Sequence, residues 1–317
     1  MFKLIAIGDN NIDTYAASGV SYPGGNCPNV AAYAAINGYP SAYIGVAGLD
    51  SFGDLLAGGL AETGVDVSHL RRERGITSRD VIVSREGDRT FTQYDRSIID
   101  AFPLCFDEGE LDYIRSFDLI HTSIYSTFAP GAFDLLCGLG VPVSYDFSVE
   151  WQQEFTDQSG EEYLQELTPL PPDFLESVCK KVDYAFFSCS NVSEEETEAL
   201  LRRAVGFGCR LAVGTRGMHG SFCFDGHGFY RQDAYRTSVV DTLGAGDSFI
   251  TRFLLTYLDG ARLLEHCTGT LPAQGGFLPG DLGDYRQKLV RAGLSQAALF
   301  AARSCQVEGA FGHGRLL

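Results

Sequence analysis

Short unbroken apolar runs alternate along this chain with stretches of helical period, and that alternation is the first thing to explain. Leu4 to Ile7 is such a run; it ends at Gly8-Asp9-Asn10 and predicts a buried strand. Asn26 to Asn37 carries the small residues Ala31, Ala32, Ala34 and Ala35 before a Gly38 stop, which predicts a helix. Ala42 to Val46 predicts a second strand, and Phe52 to Thr63 a second helix ended by Gly64. This βαβα order favours a parallel sheet wrapped by helices. The pattern changes at Gly75. Thr77 to Ser84 and Thr90 to Tyr94 alternate polar and apolar residues around Arg85-Glu86-Gly87-Asp88, which predicts a hairpin with one wet face. Strands then resume at Leu119 to Thr122, Val141 to Tyr145, Tyr184 to Ser188 and Leu211 to Gly214. Between them, 151–170 reads as an irregular acidic insertion, and Ser193-Glu194-Glu195-Glu196 opens a helix with a hydroxyl cap and first-turn acids. A Gly/Pro-rich loop at 270–284 precedes a last helix from Tyr285 to Ala302.

A length of 317 residues suits two domains or one α/β domain with an insertion. Acidic residues outnumber basic ones by 41 to 24, for a net charge of −17, which argues against nucleic acid and anionic membrane as partners. A small anionic nucleotide is still admitted, because local amides and a metal can outweigh the global field. The nine cysteines include no C-x-x-C pair, so free thiols in a reducing compartment are expected and not a disulfide framework or zinc site. The opening apolar run is too short for a signal-peptide core, and the uncharged stretch between Asp13 and Asp50 is broken by Pro23, Pro28 and Pro40. A soluble cytoplasmic protein is expected.

The most informative segment is Asp241-Thr242-Leu243-Gly244-Ala245-Gly246-Asp247-Ser248-Phe249-Ile250. Glycines leading an apolar helical run place unpaired amides at a helix N-terminus, a ready anion site. Gly244 and Gly246, with Ala245 between them, let the backbone approach a phosphate. Asp247 in the first turn can take a proton from an attacking hydroxyl. The P-loop pattern G-x-x-x-x-G-K-[ST] is absent, so amides and magnesium would have to hold the phosphates. No histidine has metal-ligand spacing, and His121 in a strand-like run reads as packed. Asp13 and Asn26 sit where the carboxyl end of a first strand faces a ligand crevice. Asp13 also reads as a turn acid, Asn29 as a helix-cap or surface amide, and Gly24-Gly25 as a plain turn.

D-T-x-G-A-G-D-x-F resembles the signature of the ribokinase-like (phosphofructokinase B type) carbohydrate kinases, and the resemblance covers nearly the whole chain. It implies a three-layer α/β fold over residues 1–317, with a central mainly parallel sheet and a small β lid from about 12–22 and 75–96. Pro23-Gly24-Gly25-Asn26 followed by Asn29-Val30-Ala31 looks like that family's sugar-binding signature, which implies sugar contacts at Asp13, Gly24, Gly25, Asn26 and Asn29. Asn191-Val192-Ser193-Glu194 matches its N-x-x-E element, which implies phosphate placement by Asn191 and indirect magnesium contact by Glu194. Val213 to Gly217 and Gly220 look like the nucleotide loop, which implies ATP contacts at Thr215, Gly217 and Gly220. The family's monovalent cation, such as K⁺, would fall at Asp241 and the Leu243 carbonyl. Ile7 to Tyr15, Gly24-Gly25-Asn26, Tyr145 to Ser148 and Arg89 to Tyr94 further resemble the fructoselysine 6-kinases, which phosphorylate amine-linked fructose. On that reading Tyr94 and Asp95 face the substrate, while by its residues alone Asp95 reads as part of a solvated strand face. Glu86, Asp88 and Asp95 would attract a cationic tail, and Phe91 serves either substrate or a homodimer through the lid. A fructokinase, ribokinase or nucleoside kinase of the same fold is the nearest rival. A non-catalytic sugar sensor is the rival of another class.

Overall fold

A computed structural model describes residues 2–85, 88–148, 152–156, 162–166, 172–268 and 283–317. The chain runs β1 (Leu4–Ile7), β2 (Asn11–Tyr15), β3 (Val20–Gly24), α1 (Asn26–Ile36), β4 (Ser41–Ile44), β5 (Val46–Gly48) and α2 (Ser51–Thr63). There follow β6 (Arg71–Glu73), β7 (Arg79–Arg85), β8 (Asp88–Asp95), α3 (Ser97–Ala101), α4 (Glu108–Arg115), β9 (Leu119–Ser123), α5 (Ala132–Cys137) and β10 (Val143–Asp146). The remainder is β11 (Gln152–Thr156), β12 (Glu162–Glu166), α6 (Pro172–Cys179), β13 (Tyr184–Ser188), α7 (Glu194–Phe207) and β14 (Leu211–Thr215). It closes with β15 (Ser221–Phe224), β16 (Phe229–Gln232), α8 (Ala245–Thr268), α9 (Gly283–Ser304) and β17 (Arg315–Leu316).

Eight strands form the central sheet in the order β16-β15-β14-β13-β10-β9-β1-β4. The six from β14 to β4 are parallel; β15 and β16 add an antiparallel edge. Period-two alternation explains why both faces are apolar: Leu4 and Ala6 enter one core, Ile5 and Ile7 the other. The first core is covered by α1, α2, α8 and α9 through Val30, Leu56, Phe253 and Val290. The second is covered through Ile99 of α3, Ile114 of α4, Leu136 of α5, Val178 of α6 and Leu201 of α7. The result is a helix–sheet–helix sandwich, the three layers expected.

Local chemistry sets the element ends. Asp50 caps α2 by accepting from Gly53 N at 2.8 Å, and Ser193 and Glu196 close a reciprocal box at the start of α7. The strand expected over 42–46 is split into β4 and β5 at Gly45. A Cβ there would lie 1.9 Å from the Tyr43 hydroxyl, so the chain turns where only glycine fits.

β2, β3, β7, β8 and β17 form a separate five-stranded sheet in the order β17-β3-β2-β7-β8. It contains both segments expected of the lid, and Arg315–Leu316 adds an edge strand that sequence reading did not anticipate. Within 151–170, expected to be irregular, β11 and β12 pair as an antiparallel ribbon. The expected 270–284 loop lies outside the described residues but for its last two positions, which begin α9; Glu86 also lies outside them.

Candidate functional site

β1 feeds α1 and β4 on one side, and the chain later returns to its other side as β9, so the sheet order reverses between β1 and β9. The carboxyl ends of such a pair diverge and leave a crevice. Here Asp9, just beyond β1, is 5% exposed and accepts from Ser123 Oγ of β9 at 2.6 Å. Its other oxygen accepts the first amide of α1, Asn26 N, at 2.7 Å. Gly25 precedes that amide with φ +99, and a Cβ on it would lie 2.6 Å from Asn10 Cα, so no side chain fits this approach.

The N-termini of α1 and α8 meet in the crevice. Asn26 Nδ2 donates to Asp247 Oδ1 at 2.7 Å, and Asn29 Nδ2 donates to Asp247 Oδ2 at 2.6 Å, so both carboxylate oxygens are held. Asn26 Nδ2 also donates to Asp146 Oδ2, at the end of β10, at 2.8 Å. Behind Asn26 lies His121 of β9. Asn26 Oδ1 lies 2.8 Å from Nε2 of His121, whose Nδ1 lies 3.1 Å from Ser144 Oγ. Burial pushes the His121 pKa down to about 3, so the ring is neutral; the two carboxylates take the Asn26 NH₂, which turns Oδ1 to the ring, and the matching tautomer carries its proton on Nε2. Burial likewise raises Asp247 from its ordinary 3.8 to about 7. The amides of Asn29 and Asn26 oppose that rise, whereas Asp9 and Asp13 add to it. A carboxylate poised there suits proton abstraction near neutral pH.

Gly244 leads into α8 with φ +71, and a Cβ on it would crowd Ala310 Cβ at 2.7 Å. Ala245 opens the helix, and a Cβ on Gly246 would meet nothing within 4 Å, so that position borders open space. First-turn amides have no acceptor inside an α-helix and, with the dipole, favour an anion, although Ala245 N here donates to Thr242 O at 3.1 Å. Beside them Asp241 is 2% exposed; it accepts from Leu243 N at 2.9 Å, from Gly309 N at 2.8 Å and from the Tyr15 hydroxyl of β2.

The expected nucleotide residues gather at the carboxyl ends of β13 and β14, along the same edge of the sheet. Thr215 ends β14. Gly217, at φ +52, starts a single 3₁₀ turn. A Cβ on Gly220, at φ +86, would lie 2.2 Å from Gln232 O. Asn191 is exposed, and Glu194 pairs with Arg216 at 3.2 Å and Arg231 at 2.9 Å. Asp13 is 4% exposed and accepts from Asn11 Nδ2 at 2.8 Å; Gly24 lies so close that a Cβ would strike Asp13 Oδ2 at 2.1 Å. Tyr94 stands opposite Asp80 in the β7–β8 ladder, and Asp95 accepts from Ser97 N at 2.9 Å, a local turn contact. Among the described residues no three His, Cys, Asp or Glu side chains gather as a metal cluster, no helix is long and apolar enough to cross a membrane, and the cysteines are free. Sequence reasoning passed over Asp9, Asp80, Asp146 and the function of His121. The signal available was a polar residue at or just beyond a strand's carboxyl end; it held for Asp9 and Asp146 but not for His121 or Asp80, which only pairing reveals.

Residues 1–268 match the pattern of the pfkB family carbohydrate kinases. The chain is 35% identical over 314 residues to the fructosamine kinase FrlD of Bacillus subtilis, covering 98% of this chain and 94% of that one. It is 33% identical over 264 residues to the fructoselysine 6-kinase of Escherichia coli, covering 83% and 92%. Its fold superposes on an Arabidopsis thaliana ribokinase solved with ribose and ATP, with TM-score 0.69 at 20% identity over 99% of this chain and 96% of that one.

Proposed function

For a chain that belongs to the pfkB carbohydrate kinase family and is an ATP-dependent sugar kinase, we propose that the acceptor is the 6-hydroxyl of a fructosamine such as fructoselysine and that Asp247 is the general base. One observation carries the second half of this reading: Asp247, at the N-terminus of α8, has both oxygens held by Asn26 and Asn29. Oriented this way, the carboxylate receives the hydroxyl proton as the sugar oxygen attacks the γ-phosphate. The amides at 244–246 take up the charge that spreads over the phosphoryl oxygens, the largest contribution in such transfers. Asn191, Thr215, Gly217 and Gly220 would line the nucleotide's path, and Asp13 and Gly24–Gly25 the sugar's. No three His, Cys, Asp or Glu side chains gather as a cage among the described residues, which fits a divalent ion carried mainly on the phosphates, as Mg²⁺ is, with Glu194 reaching it through water. When bound, that ion neutralises phosphate charge. A monovalent cation such as K⁺ would share the pocket of Asp241 and the Leu243 carbonyl. A cytoplasmic location and a homodimer through the small sheet, whose outer strands are β8 and β17, belong to the same reading.

Relative kcat/KM for fructoselysine, fructose, ribose and a nucleoside, at matched Mg²⁺ and ATP, tests the acceptor. A preference for fructoselysine is expected; a preference for any free sugar overturns the fructosamine assignment and leaves the kinase, whereas no ADP release with any acceptor favours a sensor.

We assign the small sheet the part of a lid. Thr77, just before β7, is pinned to Asp50 through its amide at 2.9 Å and its hydroxyl at 2.6 Å, so β7–β8 projects from a fixed base. Replacing residues 80–94 by a short Gly/Ser turn should therefore leave the core folded, weaken sugar affinity, and raise sugar-independent ATP hydrolysis by admitting water. Unchanged sugar KM in a coupled assay would show that the hairpin does not cover the sugar.

A further inference from the structure

We propose that Asp80 is the residue that selects the substrate's amine, its carboxylate accepting the N–H donors of a secondary ammonium on the ketose; this rests on the fructosamine reading above. β2 and β7 pair in parallel with Asp13 opposite Asp80, which puts the two carboxyl groups side by side on one face of the small sheet. Both are buried, Asp13 at 4% and Asp80 at 7% exposure. Among the described residues, Asp80 Oδ1 has no hydrogen-bond partner. A buried carboxylate oxygen without a donor is costly to keep, and its cost is removed by a proton or by an arriving cation. Arg96 is near enough for its charge to act on Asp80, but Asp80 Oδ1 takes no hydrogen bond from it; Arg96 donates to Tyr125 O and Thr127 Oγ1 and pairs with Asp100. Burial first, and the Asp13 charge second, push the Asp80 pKa up to about 8, against the opposing pull of the Asn11 amide and the Arg96 charge.

Position supplies the rest. Asp13 stands near enough to Asp247 to raise its pKa, and Asp80 lies one strand further out. In a 6-phosphorylated ketose the amine-bearing C1 is at the opposite end from the accepting oxygen. With the 6-hydroxyl at Asp247 and ring hydroxyls at Asp13, C1 falls toward Asp80. A free ketose brings only a neutral hydroxyl to that end.

The probes are fructoselysine and an analogue in which an ether oxygen replaces the secondary amine. Their kcat/KM ratio is read for the parent chain, Asp80→Asn and Asp80→Ser. The parent should favour the amine by roughly 10–100-fold, the scale of a charge-assisted contact. Both variants should bring the ratio near one, chiefly through KM for the amine, with the ether substrate little changed. The ratio does not depend on how much of a variant is folded. A parent ratio near one, or a ratio that survives both substitutions, overturns the assignment to Asp80. Preference for free fructose or ribose over both probes overturns instead the fructosamine reading on which it rests.

Discussion

Asp247→Asn is expected to lower kcat by about 10²–10⁴-fold with little change in nucleotide affinity, because the amide keeps the size of the carboxylate and cannot accept a proton. The site can absorb the change. Asn29 Oδ1 has no partner among the described residues, so the Asn29 amide can flip and present its carbonyl to the new NH₂. The parent's kcat/KM should fall as pH drops below about 7, where Asp247 takes up a proton, and the variant's residual activity should lose that limb. The stability sign is opposite. A carboxyl raised from 3.8 to about 7 contributes stability below its ordinary value and loses it as pH rises through about 7. Asp247→Asn should thus melt higher than the parent at pH 8 while barely turning over. Steady-state kinetics and melting across pH 5–9 check both, and near-parental kcat would refute the base.

Gly246→Val should cut turnover by about 10²–10³-fold, the effect of losing an oxyanion donor. The reason it is informative lies in the space around it. Beyond its own helix turn no protein atom is within 4 Å of a Cβ at Gly246, so the protein admits the side chain, and an anion arriving at the helix start would meet it. Gly244 offers no such separation, since its φ of +71 and the nearby Ala310 make any substitution there a backbone problem. Thermal melting of Gly246→Val should stay near the parent value. Retained turnover would mean that phosphate does not approach the helix there.

What the sequence made legible was local. β1, α1, α2 and α7 were readable because apolar period, the Ser193 cap and the Gly64 stop act within a few residues. The glycine-led start of α8 was legible for the same reason. Asn26 and Asn29 were placed in the site, but their hold on Asp247 was hidden, because the partners are 221 and 218 residues apart. His121 was read as packed and is buried, yet its hydrogen bond with Asn26 depends on β9 lying beside β1. For a cationic tail, charge alone drew attention to Glu86, Asp88 and Asp95. Asp80 looked like one more alternating polar residue until the β2–β7 register set it against Asp13. Pairing across a sheet is not a local property, and that is where reading stopped.

Asp241 has a consequence for how the enzyme is made. Its carboxylate joins Tyr15, 226 residues earlier, to the amide of Gly309, 68 residues later. Closing loops of that length is slow, because chain entropy must be lost before the contact repays it. On a translating ribosome, the small sheet therefore stays unjoined to the start of α8 until residue 241 has emerged, and Asp241 lacks its second anchor until residue 309 follows. A nascent chain can hold a formed β1–α1–β4 unit and still have nowhere to bring a sugar and a nucleotide together.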